Sequence, residues 1–291
     1  MVNALRNNFI RITTEDGLEL HGLLFEPIRK TTNALIHTHG WVGNFYENKF
    51  IDYVAREAVS KNFAFLTFNN RGAGIINDFI KRGKSKVEYV RIGGSLEKFE
   101  DCLLDIKAAV DFLSKRGYKK IILQGHSLGC QKITFYKYKT KDKRVKGLIL
   151  LAPVDDLSFT QKLLKNKYKK SLRIAKEMVK NGKGDKPVPN GMAFYPLLNA
   201  KMFLSVADPK SSSGRIFDYS GELTEIKNAN CPVLAMFGSK DEYQSKPGEK
   251  LKILKENIKE CDTKLVENAG HGFVNFEENL PKLIGNWLKT L

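Results

Sequence analysis

The stretch IILQGHSLGCQK, residues 121–132, decides the fold of this chain. An apolar run leads directly into Gly125-His126-Ser127-Leu128-Gly129, and a helix-like segment follows. A serine that projects from a tight strand-to-helix turn needs small residues two positions away on either side, because the backbone passes close to its neighbours there. The pattern predicts a strand, a turn that exposes Ser127 as a nucleophile, and a helix. The pentapeptide alone would also fit an ordinary glycine-rich turn.

Further short apolar runs predict more strands of the same sheet. Segments with helical periodicity separate them, at 47–60 and 97–116. Such alternation predicts an α/β fold, with a mostly parallel sheet covered by helices on both faces. The runs lie at 34–40, 63–68, 120–125, 145–151 and 232–238.

Both ends of the chain add elements to this sheet. FIRIT and LELHGLLF flank Glu15-Asp16-Gly17, and Asp-Gly between two alternating runs predicts an antiparallel hairpin. Near the other end, a helix is expected from about 246 to 258, a strand at 263–267 and a closing helix from about 276 to 290.

Composition excludes several classes of protein. With 291 residues, 42% hydrophobic and 28% charged, the chain has a globular composition and room for one large domain or two modest ones. The four cysteines have no zinc spacing and are expected to be reduced thiols. No apolar segment fits a secretory signal or a membrane span, so we expect a cytoplasmic protein with no membrane partner.

The formal net charge of +17 is the one compositional figure that suggests a nucleic-acid or anionic-surface partner. Much of it comes from residues 161–186, which carry ten basic and two acidic side chains. This segment lies within 154–212, where the strand-like runs stop and a lysine-rich helical stretch, 161–180, precedes a loop. Two interpretations stay open: a solvated helix face, which is typical of charge runs, or a basic lid over a site that attracts anionic substrates.

A serine nucleophile needs a base and an acid that orients the base, and both must come from elsewhere in the chain. Asp241 lies three residues beyond Gly238, just after the apolar run 232–238, where a side chain can reach the end of the sheet. Asp241 is therefore the candidate acid, with Glu242 as its rival.

His271 is the candidate base, because it follows the expected strand at 263–267 and lies between two glycines. The other four histidines, His21, His37, His39 and His126, all precede the acid, and His126 is expected to point away from its neighbour Ser127. The order serine, acid, histidine is the chain order of one class of serine hydrolases.

An oxyanion that forms on a substrate carbonyl needs two hydrogen-bond donors. The N–H of Leu128 follows the nucleophile directly, and the loop after the third strand, His39-Gly40-Trp41, offers the N–H of Trp41. The alternative is an ordinary His-Gly turn with Trp41 in the core.

The chain resembles the α/β-hydrolase superfamily over nearly its whole length. The resemblance rests on five motifs that stand in the order found in that superfamily: HGWVGN, NNRGAG (69–74), GHSLG, GSKDEY and AGHGF. The resemblance implies a core of residues 1–153 and 213–291 with a cap at 154–212, and a turn at NNRGAG that shapes the site without doing chemistry. A narrower similarity, in GHSLGCQK, KGLILLAPVDD and GSKDEY, is to a branch that contains siderophore esterases.

We therefore expect a serine hydrolase that cleaves a small-molecule carboxylic ester through an acyl-enzyme, with no metal or organic cofactor and no nucleic-acid partner. Amides, peptides and thioesters are alternative substrates for the same triad, and a binding protein that keeps the fold without catalysis is a further alternative. A nucleic-acid-binding role, suggested by the net charge, is the third alternative. The acyl and alcohol groups and the oligomeric state stay open.

Overall fold

A computed structural model describes residues 6–83, 86–193, 195 and 197–291, and within them it contains ten strands. The strands are β1 (Arg6–Thr13), β2 (Glu19–Glu26), β3 (Asn33–Thr38), β4 (Ala64–Phe68), β5 (Asn77–Arg82), β6 (Val87–Ile92), β7 (Lys120–His126), β8 (Val145–Leu151), β9 (Val233–Gly238) and β10 (Cys261–Val266).

The same residues form ten α-helices, and 3₁₀ turns at Phe99–Asp101 and Lys165–Lys167 precede two of them. The helices are α1 (Phe50–Ser60), α2 (Cys102–Lys115), α3 (Leu128–Thr140), α4 (Asp156–Leu164), α5 (Tyr168–Lys180), α6 (Ala200–Ala207), α7 (Ser212–Ile216), α8 (Thr224–Lys227), α9 (Pro247–Asn257) and α10 (Asn279–Leu288). Not one of these helices combines the length and the apolar character that a membrane span requires.

Eight of the described strands form one sheet in the order β1-β2-β4-β3-β7-β8-β9-β10. The six strands from β4 to β10 pair in parallel, whereas β2 runs antiparallel to both β1 and β4. The expected mostly parallel sheet is confirmed, and so is the hairpin at its start, where Gly17 turns the chain with a φ of 85°.

Helices cover both faces of the sheet, as expected. Pairs α1/α10 and α2/α3 pack against each other, and a Cβ on Gly285 of α10 would lie 2.2 Å from the carboxylate of Glu57 on α1. The central strands are enclosed by these layers, so every residue of β4 and β9 is buried. This burial on both faces is why these strands are continuous apolar runs.

Two features depart from the sequence-based expectations. The lysine-rich segment is not one helix: α4 ends at Leu164, Lys165 has a φ of 49°, and α5 begins at Tyr168. The hairpin of β5 and β6 was not predicted, because its residues are largely exposed and show no regular alternation of apolar and polar side chains.

Candidate active site

Ser127 lies at the turn between β7 and α3, with φ 55° and ψ −127°. The turn is crowded. A Cβ at position 129 would lie 2.2 Å from the carbonyl oxygen of Thr38, and one at position 125 would lie 2.4 Å from the backbone of Gly129. Only glycine fits at either position, so the two glycines of the motif are required by the close approach of β3, β7 and α3.

Asp241 and His271 form a hydrogen-bonded pair. The Nδ1 of His271 lies 2.9 Å from Oδ2 of Asp241, whose side chain is fully buried. The other carboxylate oxygen accepts the backbone N–H groups of Tyr243 (2.9 Å) and Gln244 (3.1 Å). Both oxygens of Asp241 are therefore fixed, and the carboxylate holds the imidazole with Nδ1 protonated and Nε2 available as a base.

Glu242, the rival acid, contacts the backbone of His271 and not its ring. Its Oε2 accepts the His271 N–H at 2.9 Å. The side chain is exposed, unlike that of Asp241. The geometry therefore favours Asp241 as the partner of the imidazole, with Glu242 holding the loop.

The adjacency of β9 and β10 brings the acid and the histidine together. The loops that follow these parallel strands start at the same edge of the sheet and are joined by backbone contacts. The N–H of Lys240 donates to the carbonyl of Ala269 at 2.9 Å, and the N–H of Asn268 donates to Oγ of Ser239 at 2.8 Å. Asp241 and His271 are therefore close because they follow neighbouring parallel strands that end at the same edge of the sheet.

His126 contacts the loop that carries His271. The expectation that its side chain points away from Ser127 stays a prediction. Its side chain lies in the wall of the same cavity as Ser127 and His271. Its Nε2 is 2.9 Å from the carbonyl oxygen of His271, so this nitrogen must be the protonated one and donates the hydrogen bond. The two imidazole rings lie 4.9 Å apart. Burial, with a smaller contribution from His271, lowers the pKa of His126 to about 3, so the ring is neutral.

The loop after β3 passes directly over Ser127. A Cβ on Gly40 would lie 2.9 Å from the Cβ of Ser127 and equally close to the carbonyl of His126, so glycine is required here. The adjacent Trp41 donates its indole N–H to the carbonyl of Gly94 at 2.6 Å. Trp41 and Leu128, the two predicted oxyanion donors, thus line the same cavity as Ser127.

His39 holds this loop from behind. Its Nδ1–H donates to the carbonyl of Gly40 at 2.8 Å, and its Nε2 accepts the N–H of Asn70 at 3.1 Å. Burial, reinforced by the charge of Lys132, lowers the pKa of His39 to about 3. The ring therefore stays neutral and keeps one donor and one acceptor in place.

Behind Asn70 lies a buried ion pair that the sequence did not reveal. The Nζ of Lys132 lies 2.8 Å from Glu97 and donates to Oδ1 of Asn70 at 3.0 Å. Both charged side chains are almost wholly buried. Beside it, Arg71 of NNRGAG forms a second buried pair with Asp105 at 2.8 Å. NNRGAG thus links the loop at Gly40 to buried charges. No local pattern could have identified Lys132 or Glu97, since they meet only when α3 packs against the loop before α2.

The cavity has a volume of about 570 Å³. Ser127, His271, Trp41 and Leu128 line it, and Asp241 lies behind His271. Seven lining residues come from the segment 154–212, namely Val154, Asp156, Phe159, Thr160, Leu163, Tyr195 and Val206. Three acidic residues, Glu47, Asp156 and Glu242, are among the described lining residues, and no lysine or arginine is among them.

Within the described ranges, no group of three or more His, Cys, Asp or Glu side chains could hold a metal ion. The arrangement instead offers a serine hydroxyl, an oriented imidazole and backbone N–H groups around one space, which is the set of groups that acyl transfer requires.

Comparison with known proteins agrees with this architecture. Over 252 residues the chain is 23% identical to a Mycoplasma pneumoniae protein named "Putative esterase/lipase 2", and the match covers 85% of each chain. Among solved structures it is similar to Est1E from Butyrivibrio proteoclasticus (17% identity, TM-score 0.64, covering 97% of this chain and 98% of that one).

It is also similar to the α/β hydrolase GrgF from Penicillium sp. sh18 (15% identity, TM-score 0.67, covering 98% and 97%). A third similar structure is the Pyrococcus furiosus esterase PF2001 (16% identity, TM-score 0.60, covering 98% and 91%). These likenesses confirm the α/β-hydrolase fold. A family model described as "Protein of unknown function (DUF1749)" matches residues 89–276, and the chain belongs to that family.

Proposed function

We propose that this protein is a serine hydrolase that cleaves carboxylic esters through an acyl-enzyme. The observation that carries the proposal is the 2.9 Å hydrogen bond between Asp241 and His271, beside a cavity whose wall also holds Ser127 on its strained turn. Two of the similar proteins, one named an esterase and one an esterase/lipase, support an ester as the substrate.

In the proposed mechanism, Oγ of Ser127 attacks the ester carbonyl while Nε2 of His271 takes its proton. Asp241 holds the ring and stabilises the imidazolium that forms. The backbone N–H groups of Trp41 and Leu128 stabilise the oxyanion. His271 then gives its proton to the leaving alcohol, and water releases the acyl group by the same steps in reverse order.

We further propose that residues 154–212 act as a cap on a core formed by 1–153 and 213–291. This division is supported by the seven residues of the segment that line the same cavity as Ser127. In this arrangement the core supplies the groups that react, and the segment shapes the space in which the substrate lies.

The test is hydrolysis of a panel of nitrophenyl and feruloyl esters by wild type and variants. Ser127→Ala is expected to lower kcat by a factor on the order of 10⁴ or more, and Asp241→Asn by about 10⁴. Glu242→Gln is the matched control, since it also removes one carboxylate beside His271, and we expect a loss of less than about tenfold because an amide oxygen can still accept the backbone N–H. Equal activity in wild type and Ser127→Ala would overturn the proposal.

Labelling with a fluorophosphonate distinguishes the enzyme from a binding protein with the same fold. Mass spectrometry should find the adduct on Ser127 in wild type and should find none in Ser127→Ala. Amides and thioesters of the same acyl groups in the panel decide whether the ester is the preferred bond.

A further inference from the structure

The cavity wall on α4 contains polar groups that the hydrolytic mechanism does not use. Asp156 and Thr160 lie four residues apart on this helix, so they share one face, and both line the cavity. Neither touches the triad. Their neighbours in the wall are apolar or aromatic, namely Val154, Phe159, Leu163 and Val206. A polar pair in such a wall needs an explanation, because buried polar groups are costly without a partner.

Thr160 is fully buried, and its Oγ1 has no hydrogen-bond partner in the described part of the chain. A threonine inside a helix ordinarily satisfies its hydroxyl by donating to the carbonyl four residues earlier. Thr140 and Ser205 of this protein do so, with distances of 2.8 and 3.2 Å. Thr160 has the carbonyl of Asp156 at the same spacing and makes no such bond, so its hydroxyl has no partner in its own helix.

Asp156 is held from behind by Gln131 of α3. The Nε2 group of Gln131 donates to Oδ2 of Asp156 at 2.8 Å and to the carbonyl of Val154 at 2.9 Å, which uses both of its N–H groups. The remaining oxygen of Gln131 is buried and unpartnered among the described residues. Gln131 therefore fixes the carboxyl of Asp156 in the wall and leaves its second oxygen to be satisfied by something else.

Burial, reinforced by the neighbouring Asp155, raises the pKa of Asp156 to about 8. At neutral pH the carboxyl therefore keeps its proton and can donate a hydrogen bond as well as accept one. Since Glu47 and Glu242 add negative charge and no lysine or arginine is among the described lining residues, the cavity disfavours an anionic substrate.

We propose that Asp156 and Thr160 form a subsite for a neutral hydroxyl group carried by the substrate, so that the preferred substrates are hydroxylated esters and not simple alkyl esters. A hydroxyl matches the two side chains because each of them can donate and accept. This inference rests on the proposed esterase function and specifies its substrate class.

The first experiment compares kcat/KM for methyl esters that differ only at the far end of a six-carbon acyl chain: methyl hexanoate, methyl 6-hydroxyhexanoate, methyl 6-aminohexanoate and monomethyl adipate. Homologues with eight and ten carbons vary the reach. Hexyl acetate and 6-hydroxyhexyl acetate place the same hydroxyl on the alcohol side. The methyl esters form an acyl series and the two acetates an alcohol series. In one of these two series, kcat/KM for the hydroxylated ester should exceed that for the matching alkyl ester about five- to tenfold, as one or two hydrogen bonds predict. Ratios below about twofold in both series, or a preference for the amine or the carboxylate, would overturn the proposal.

The second experiment assigns the preference to the two side chains. Thr160→Val should abolish most of this preference, measured as the ratio of kcat/KM for methyl 6-hydroxyhexanoate to that for methyl hexanoate. Asp156→Asn should keep the preference for hydroxylated esters, because the amide is also neutral and can donate a hydrogen bond. Asp156→Leu should lose this preference. Thr134→Val is the matched control, since Thr134 also has a buried, unpartnered hydroxyl but does not line the cavity. A preference that survives in both Thr160→Val and Asp156→Leu contradicts the subsite.

The outcomes separate this inference from the proposed function. Ester hydrolysis that requires Ser127 but shows no preference for hydroxylated esters would support the proposed esterase function and contradict the subsite. If no ester is hydrolysed, calorimetry with Ser127→Ala still tests the subsite, because methyl 6-hydroxyhexanoate should bind about five- to tenfold tighter than methyl hexanoate.

Discussion

The Nε2–H of His126 donates a hydrogen bond to the carbonyl of His271, the proposed catalytic histidine. We predict that His126→Phe lowers kcat about 10- to 100-fold with little change in KM, because a displacement of about 1 Å at a reacting group can cost that much. His126→Gln, which keeps an N–H donor, should recover part of the loss. Steady-state kinetics with the nitrophenyl ester that wild type hydrolyses best provides the measurement. Unchanged kcat in His126→Phe, with wild-type thermal stability, would show that the bond does not position the ring.

Asp156 should make the stability of the protein depend on pH. Burial raises its pKa to about 8 in the folded state, whereas the carboxyl ionises near 3.8 when it is exposed. Between these values the folded state binds more protons than the unfolded state, so the free energy of unfolding falls as pH rises and levels off above pH 8. The Asp156→Asn variant has no ionisable group at this position, so its free energy of unfolding should lack this pH-dependent contribution. Urea unfolding of both proteins from pH 4 to 9 checks the difference, and parallel curves would contradict it.

Single residues were predictable where chemistry and strand ends coincide. Ser127 and Asp241 follow the buried strands β7 and β9, and His271 follows the partly exposed strand β10. Parallel strands end at one edge of the sheet, so the proximity of these residues followed from the pattern. The hydrogen bond from His126 to the carbonyl of His271 was not predicted, because the two residues are remote in sequence. Which of the two acids reaches the ring depends on the turn at Asp241, which the sequence pattern does not specify.

At the scale of elements, α3 follows the proposed nucleophile Ser127 and also carries a buried charge. Its Lys132 forms the buried ion pair with Glu97 behind the loop at Gly40. We predict that Lys132→Met lowers the free energy of unfolding by about 3–5 kcal/mol, because Glu97 is left as an unpaired buried carboxyl. Lys252→Met, at an exposed pair with Glu256, should change it by less than about 0.5 kcal/mol.

Urea unfolding of the variants at neutral pH provides these values. The double variant Lys132→Met/Glu97→Leu should recover much of the loss, since replacing both members of a buried pair by apolar side chains is often close to neutral. A loss below about 1 kcal/mol in Lys132→Met would mean that Glu97 finds another partner.

Elements buried on both faces were the easiest to predict from sequence. Strands β3, β4, β7, β8 and β9 were expected within about two residues of their observed ends, because such strands are uninterrupted apolar runs. The break between α4 and α5 was missed because the lysine-rich pattern continues across it. The hairpin of β5 and β6 was missed because a half-exposed pair of strands has no clear periodicity.

For the whole molecule, the charge separates into a basic exterior and an acidic cavity. All ten basic side chains of residues 161–186 are exposed, whereas the described charges that line the cavity are carboxyl groups. This distribution favours the interpretation of the lysines as a solvated face over that of a lid that attracts anions. The absence of a nucleic-acid partner and the cytoplasmic location stay predictions.

We predict that monomethyl adipate is a poorer substrate than methyl hexanoate at 0.15 M salt. The distant lysines are screened beyond about 8 Å under these conditions, whereas the carboxyl groups of the cavity are closer to the substrate. Glu47→Gln should raise the adipate-to-hexanoate ratio of kcat/KM about two- to fivefold, as removal of one nearby partly screened charge predicts. Lys169→Gln, on the exterior, should leave the ratio unchanged. A change of the adipate-to-hexanoate ratio in Lys169→Gln, with no change in Glu47→Gln, would contradict the proposed charge separation.

The left-handed backbone at Ser127 also has a meaning for evolution. A φ of 55° is unfavourable for any residue with a Cβ, by about 1–3 kcal/mol, whereas glycine adopts it with an entropic penalty of only about 0.5–1 kcal/mol. A lineage that no longer needed a hydroxyl at this turn would fold more stably with glycine at position 127. Mutation and selection for stability therefore oppose the serine, and only a benefit from its chemistry would keep it there.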